Sequence, residues 1–490
     1  MSKLLKGGIV LIHGEGDKVT PTKTDVFIQG DRIVSLDNDI SVPPDCEVID
    51  CTGKIISPGF VDAHHHLWQT MLKGMYGDSQ FLEYLAGINA LALELTPQDI
   101  FWGNLSGCME ALDAGTTTVL DHAHLNWTPK HSKAAIGGTL TSGIRSIFAY
   151  SPVFRMKSVK PIEIDEELFP AWVMDELESL SKTPALSDPS SRVKLGFGFD
   201  FWFLPKGFVV GLFEKIRSWG IETVTTHNVR WSNKTESLVK KAHDYGLLDR
   251  RLIFSHAGGA SQEDIDLLLQ SDSYVAVTPN TEQAMCVGPS VCFNKDLVGG
   301  DRVSALGIDC HCATSSNIVN EMRLALQSAR GLDSAEHRRN GTTPYVSFHT
   351  SDEAFNLGTI QGARALNMEK DIGSIAVGKK ADLVIFDTLT PAMLAAAQKA
   401  PVMAIVLHSS VADVDAVLVD GEFRKRDGKL IDVALVDWDT QGTFTRKGSL
   451  SSWRDVGREL LAVQEKVDAV LPRLNLVEVE ESFKQKFAQF

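Results

Sequence analysis

Apolar and polar positions along this chain fall into short apolar or β-branched runs, and several of these runs close on a histidine or an aspartate. Ile55-Ile56-Ser57-Pro58-Gly59-Phe60-Val61 leads into Asp62-Ala63-His64-His65-His66. Ile221 to Thr226 ends in His227, Arg251 to Ser255 ends in His256, and Val303 to Ile308 ends in Asp309. Longer amphipathic stretches separate the runs: Leu105 to Ala114 precedes Thr116 to Leu120, Phe208 to Trp219 precedes Ile221, and Ala260 to Gln270 precedes Tyr274 to Val277. Ile318 to Ser328 follows Asp309 like a covering helix. Strand and helix in alternation describe a parallel sheet with helices outside it. An open sheet gathers ligands at one switch point, whereas a closed (β/α)8 barrel draws them from strands far apart in sequence. The expected fold is therefore α/β, a distorted (β/α)8 TIM barrel over residues 58–369.

The two ends have a different texture. Gly8 to His13, Asp25 to Gln29, Arg32 to Leu36, Glu47 to Asp50 and Lys54 to Ile56 read as short strands with polar turns between them. Ala381 to Asp387, Val402 to Leu407, Val414 to Val419 and Lys429 to Asp432 read the same way. Each set is too short for a domain, so residues 1–57 and 370–440 are expected to build one small β-sandwich together. Residues 441–490 are expected to form a helical extension. There Leu460, Leu461, Val463, Val467, Val470 and Leu471 recur at helical spacing among charged residues, offering a face to the same subunit or to a homodimer partner.

Composition narrows the chemistry. A chain of 490 residues with 43% apolar content can bury more than one core. A net charge of -15 opposes phosphate-backbone binding, so nucleic acid is excluded as a partner and a small molecule is expected. No apolar run of membrane-spanning length occurs. Seven cysteines lack the dense spacing of secreted disulfide frameworks, which fits a reducing, cytoplasmic setting. Cys310-His311-Cys312 has no second cysteine pair to complete a structural zinc site.

Side chains alternate along a strand, so His64 and His66 share a face while His65 turns away. His64, His66, His227 and Asp309 can then supply imidazole and carboxylate donors to one divalent ion, zinc first, with iron(II) or manganese(II) as alternatives. Such an ion lowers the pKa of a water it holds. Asp309 can bind through one oxygen and take a proton through the other, while His256 orients the attacking oxygen or stabilises developing charge. His122 and His124 also have ligand spacing, although substrate contact suits His124 better than a second metal. Trp68, Gln69 and the aromatics between Phe197 and Phe203 suit a flat, partly apolar substrate.

These segments resemble the amidohydrolase superfamily, in particular the cytosolic branch of deaminases and chlorohydrolases that contains guanine, adenosylhomocysteine and triazine hydrolases. The resemblance rests on Pro58 to Leu67, Gly115-Thr116-Thr117-Thr118, His227, Ser255-His256, Gly307-Ile308-Asp309, Gly358 to Leu366 and Gly378 to Leu383. It implies a mononuclear metal centre on His64, His66, His227 and Asp309, His256 as a catalytic histidine, and attack by activated water on an electrophilic carbon. Deaminases of this branch carry a proton-shuttling glutamate three positions after the fifth-strand histidine, where this chain has Arg230. Arginine cannot exchange a proton near neutral pH. Arg230 is instead expected to bind a planar acceptor on the substrate, and Glu282, just past the seventh strand, to replace the shuttle or to hold Arg230. The expected reaction is hydrolysis of a C–N bond in a small aromatic or heterocyclic compound. Hydrolytic dehalogenation, a metal-assisted decarboxylase or lyase, and a non-catalytic scaffold are the alternatives.

Overall fold

In the computed structural model, eight parallel strands run in sequence order around one sheet: β1 (Phe60–His65), β2 (Thr116–Ala123), β3 (Arg145–Tyr150), β4 (Val193–Gly198), β5 (Val224–Val229), β6 (Leu252–Gly258), β7 (Tyr274–Val277) and β8 (Ser304–Leu306). The structure describes all residues except 1, 160–161, 166, 231–235, 440–441 and 488–490. β1, β2 and β3 are buried along their whole lengths, as expected of parallel strands covered on both faces.

The sheet closes on itself between β8 and β1. Just past β8, the Asp309 amide donates to the His64 carbonyl at 2.9 Å, and the His66 amide donates to the Asp309 carbonyl at 3.2 Å. Gly307 makes this approach possible, because a Cβ there would sit 2.7 Å from the His64 carbonyl oxygen and 2.9 Å from its nitrogen. Below the closure, Leu120, Ile147, Ile253, Ala276 and Ala305 fill the barrel, with Ala363, Ala365 and Leu366 in the same cluster. Leu120, Ile253 and Ala276 lie two positions before His122, Ser255 and Thr278, so strand alternation sends all of these side chains inward. The barrel is thus packed below and polar at the C-terminal ends of its strands.

Both chain ends supply the β-sandwich. One sheet runs in the order Lys429–Leu430, Glu422–Arg426, Val414–Val419, Leu383–Asp387, Lys54–Pro58, Ile9–His13 and Val19–Lys23. The other runs Arg32–Asp37, Asp25–Gln29, Ser2–Lys6 and Glu47–Asp50. Leu5, Val10, Val26, Ile28, Ile56, Leu383, Ile385 and Leu418 share the core of this unit. Buried Arg145, at the start of β3, pairs with Asp382 at 2.9 Å and Asp420 at 2.5 Å, tying the sandwich to the barrel.

Two segments differ from the sequence reading. Val402 to Leu407 is helical rather than a strand: Pro401 opens a helical turn that continues through Ala404–His408. A short apolar run does not distinguish a strand from a buried helix, and proline at the first helical position favours the helix. The terminal extension also begins with a strand, Phe444–Ser451, paired with Val433–Trp438. Its helix Trp453–Val470 then buries Val456, Val463, Val467 and Val470, and Lys466 reaches Asp99 of the helix Pro97–Asp113 at 2.5 Å. Among the described residues, no helix is long and apolar enough to cross a membrane.

Gly307→Ala should therefore lower stability by about 1–3 kcal/mol, the usual cost of forcing a group into a packed site. Urea unfolding of the two proteins measures this, and equal midpoints would contradict the closure described above.

Candidate metal centre at the mouth of the barrel

The strand ends deliver His64, His66, His227 and Asp309 to one point, with a ligand atom of each within 4.8 Å of the others. Asp309 Oδ1 lies 3.2 Å from His64 Nε2 and 3.2 Å from His66 Nε2. His227 Nε2 is 3.4 Å from His66 Nε2. Asp309 and His256 sit at φ values of 67° and 73°, a left-handed conformation uncommon outside glycine. Asp309 lies just past the end of β8, and His256 lies where the pairing of β5 with β6 shifts register.

What holds each imidazole from behind decides which nitrogen faces the centre. His66 Nδ1 meets the His122 carbonyl oxygen at 2.8 Å, and His227 Nδ1 meets Asp200 Oδ2 at 2.9 Å. A carbonyl and a carboxylate can only accept, so both Nδ1 atoms carry a proton and Nε2 is the nitrogen that faces the centre. His64 Nδ1 bonds the Ser255 hydroxyl at 2.8 Å, leaving its buried Nε2 without a hydrogen-bond partner. Burial pushes His64 well below the ordinary imidazole value, so it is neutral. Burial alone would raise Asp309, but the imidazoles of His256, His64 and His66 outweigh it and hold the carboxyl well below the usual range. Imidazole nitrogens converging with an ionised carboxylate are a donor set that a borderline divalent cation accepts.

His256 stands beside this cluster, with Nε2 3.6 Å from Asp309 Oδ2 and Nδ1 2.9 Å from the Thr278 hydroxyl. Glu282 lies behind it, with Oε1 4.0 Å from His256 Nδ1 and accepting the Thr278 amide at 2.9 Å. Burial pushes Glu282 up to about 8 and His256 down to about 4.

The remaining sequence candidates divide. His124 lies against His66 with ring centres 4.1 Å apart and planes tilted by 45°, and Trp68 Nε1 donates to His124 Nδ1 at 3.3 Å. Gln69 is buried away from that wall, donating to the Tyr84 hydroxyl at 2.6 Å and accepting from Cys312 at 3.2 Å. Arg230 turns toward the Gly259 carbonyl at 3.1 Å and Asp264 at 3.3 Å. Its carboxylate partner there is Asp264, while Glu282 lies under His256. His65 faces away and pairs with Asp62 at 2.6 Å. His311, between the two cysteines, bonds Thr70 at 3.1 Å and Glu110 at 3.0 Å.

The sequence marks His122 only through its ligand spacing with His124 and does not single out Asp200. Asp200 closes the run Val193–Gly198 just as Asp309 closes β8, so the strand-end pattern that marked the other residues also marks it.

The amidohydrolase family model matches residues 55–172 and 217–424, more than half of the chain. A 5-methylthioadenosine/S-adenosylhomocysteine deaminase of Pyrococcus abyssi is 28% identical over 444 residues, covering 88% of this chain and 96% of the relative. Among solved structures, an adenosine deaminase from Xanthomonas campestris with bound zinc superposes at a TM-score of 0.77 with 17% identity, covering 96% of this chain and 99% of that one. A mutant atrazine chlorohydrolase of Arthrobacter aurescens, complexed with zinc and atraton, gives 0.78 with 18% identity, covering 94% of this chain and all (100%) of that one. At these identities the structural likeness carries the fold alone, whereas the family model carries membership: the chain belongs to the amidohydrolase family.

Proposed function

We propose that this chain is a metal-dependent hydrolase that uses water to break a carbon–nitrogen bond of a small aromatic or heterocyclic compound. The observation that carries this reading is the convergence of His64, His66, His227 and Asp309 at the mouth of the barrel. The buried, unpartnered Nε2 of His64 and the Nδ1 protonation of His66 and His227 fit a single divalent cation. Zinc is the leading candidate, and it is the metal named for two structures of similar fold. When bound, the cation supplies Lewis acidity and lowers the pKa of water it holds.

The chain's own residues divide the remaining work. Asp309 has Oδ1 toward the imidazoles and Oδ2 toward His256, so Oδ2 is the atom free to accept a proton from the attacking water. His256 orients that water and stabilises charge growing on the attacked carbon's substituent. Glu282 keeps a proton near neutral pH and can pass it through His256 to the leaving group. Trp68 and His124 form a wall beside His66 for a planar ring. Arg230, paired with Asp264, lies at the rim where it can meet an anionic or polar substituent.

A second reading, hydrolytic dehalogenation, is favoured by Arg230 standing where deaminases carry a glutamate. A halide leaves without a proton and needs no shuttle. A panel of amino- and chloro-substituted purines, pyrimidines and triazines, scored for ammonia and chloride release in labelled water, decides between the two. Either product should carry solvent oxygen at the attacked carbon, whereas an unlabelled product would overturn hydrolysis. On the substrate that turns over, Asp309→Asn should lower kcat by about 10²–10⁴-fold, the range for a removed general base.

Glu282 gives a test that needs no substrate. Its carboxyl titrates near its ordinary 4.5 in the unfolded chain and at about 8 in the folded one. Between these values the folded state holds the extra proton, so this contribution to stability is complete below the lower value and lost as pH rises through the upper one. Glu282→Gln removes that loss. Urea unfolding of the metal-free proteins should show the variant gaining on wild type between about pH 5 and about pH 8, and a constant difference would contradict the assignment.

A further inference from the structure

Asp200 enters the account above only as the acceptor behind His227 Nδ1. It follows β4, beside the cluster but outside the four residues around its centre. Its Oδ1 accepts the His227 amide at 2.8 Å and the Thr226 hydroxyl at 3.3 Å. Its Oδ2 accepts His227 Nδ1 at 2.9 Å and lies 3.3 Å from His122 Nε2. Both oxygens are thus fixed, one by backbone and hydroxyl donors and the other by imidazoles.

His122 is fully buried, and neither of its ring nitrogens makes a hydrogen bond of good geometry. It leans on Asp200 through the long 3.3 Å approach of Nε2, and its carbonyl oxygen meets His66 Nδ1. The residue packs this tightly because β4 carries Gly198 opposite it, where a Cβ would lie 2.9 Å from His122 Nε2. His122 therefore supports His66 through its backbone and Asp200 through its ring.

We propose that Asp200 is a positioning residue that acts through His227: its negative charge fixes the Nδ1–H tautomer, strengthens the Nε2 donor, and adds a second carboxylate charge close to the cation. The proposal rests on the metal-centre reading above and adds a role for a residue outside the donor set. The cluster contributes one carboxylate, Asp309, against a divalent ion, and Asp200 brings the local charge close to balance. A carboxylate behind a ligating imidazole both orients the ring and raises its basicity, and losing such a partner commonly costs about 10–100-fold in metal affinity. His64 has only a hydroxyl behind it and His66 only a carbonyl, so His227 is the imidazole whose donor strength depends on a charge.

The test compares zinc affinity, by competition with a chromophoric chelator, in wild type, Asp200→Asn and Asp200→Glu, together with thermal unfolding of each metal-free protein. Asn keeps an acceptor for Nδ1–H and removes the charge, while Glu restores the charge. The proposal expects Asn to weaken zinc binding about 10–100-fold, Glu to recover most of that loss, and the visible spectrum of the cobalt(II)-loaded Asn variant to shift. Wild-type affinity in Asp200→Asn would overturn the proposal while leaving the metal-centre reading intact. Equal weakening in Asn and Glu would also overturn it, because charge would then not be the cause. A wild type that binds no zinc, cobalt(II), iron(II) or manganese(II) would overturn both. If Asp200→Asn does not fold, the ring nitrogens of His227 in zinc-loaded wild type decide by ¹⁵N chemical shift: protonation at Nδ1 supports the proposal, and metal on Nδ1 overturns it.

Discussion

Asp309 does two jobs with one residue, and the rest of the site depends on their coincidence. Its backbone amide and carbonyl bridge to His64 and His66, which closes the barrel. Its carboxylate, thrown inward by a left-handed backbone, faces the imidazoles of the same two residues. The bonds that make the sheet continuous are therefore the bonds that set the distance between the first-strand histidines and the eighth-strand carboxylate. A barrel that failed to close would have no cluster, and the absence of a Cβ at Gly307 is what lets the two strands meet.

Gathering these groups out of water opposes folding, since a buried ionised carboxylate or an unpaired imidazole nitrogen loses its hydration. The structure offsets much of this from outside the cluster. Ser255, the His122 carbonyl and Asp200 each satisfy one Nδ1, and Thr278 does the same for His256. In the four-residue cluster this leaves the Nε2 atoms pointing at each other and at Asp309. Near the centre His256, Ala257 and Asp309 also sit at positive φ, as several residues elsewhere do. Polar groups deprived of partners mark the part of a fold shaped for binding rather than for stability.

Much of this was legible in the sequence because the barrel writes its chemistry at the ends of apolar runs. Period-two spacing separated His64 and His66 from His65, and the structure sends His65 to Asp62, away from the cluster. The interleaved sandwich was visible in the short strands at both ends. Less legible were β3 and β4, whose ends carry no histidine to draw attention, and with them Asp200. Val402 to Leu407 was misread because a six-residue apolar run fits a strand as well as a buried helix, and only Pro401 argued otherwise. Arg230 shows a different limit. Its place in the motif was plain, but its choice of Asp264 depends on how the helix Gln262–Ser271 meets β5, a tertiary relation that spacing does not encode.

The central claim is that His64, His66, His227 and Asp309 surround a single divalent cation. Anomalous diffraction at the zinc absorption edge from zinc-loaded crystals tests it most directly. The account requires one peak within coordination distance of Nε2 of His64, His66 and His227 and of an Asp309 carboxylate oxygen. No peak there, or a peak held by other side chains, would contradict it.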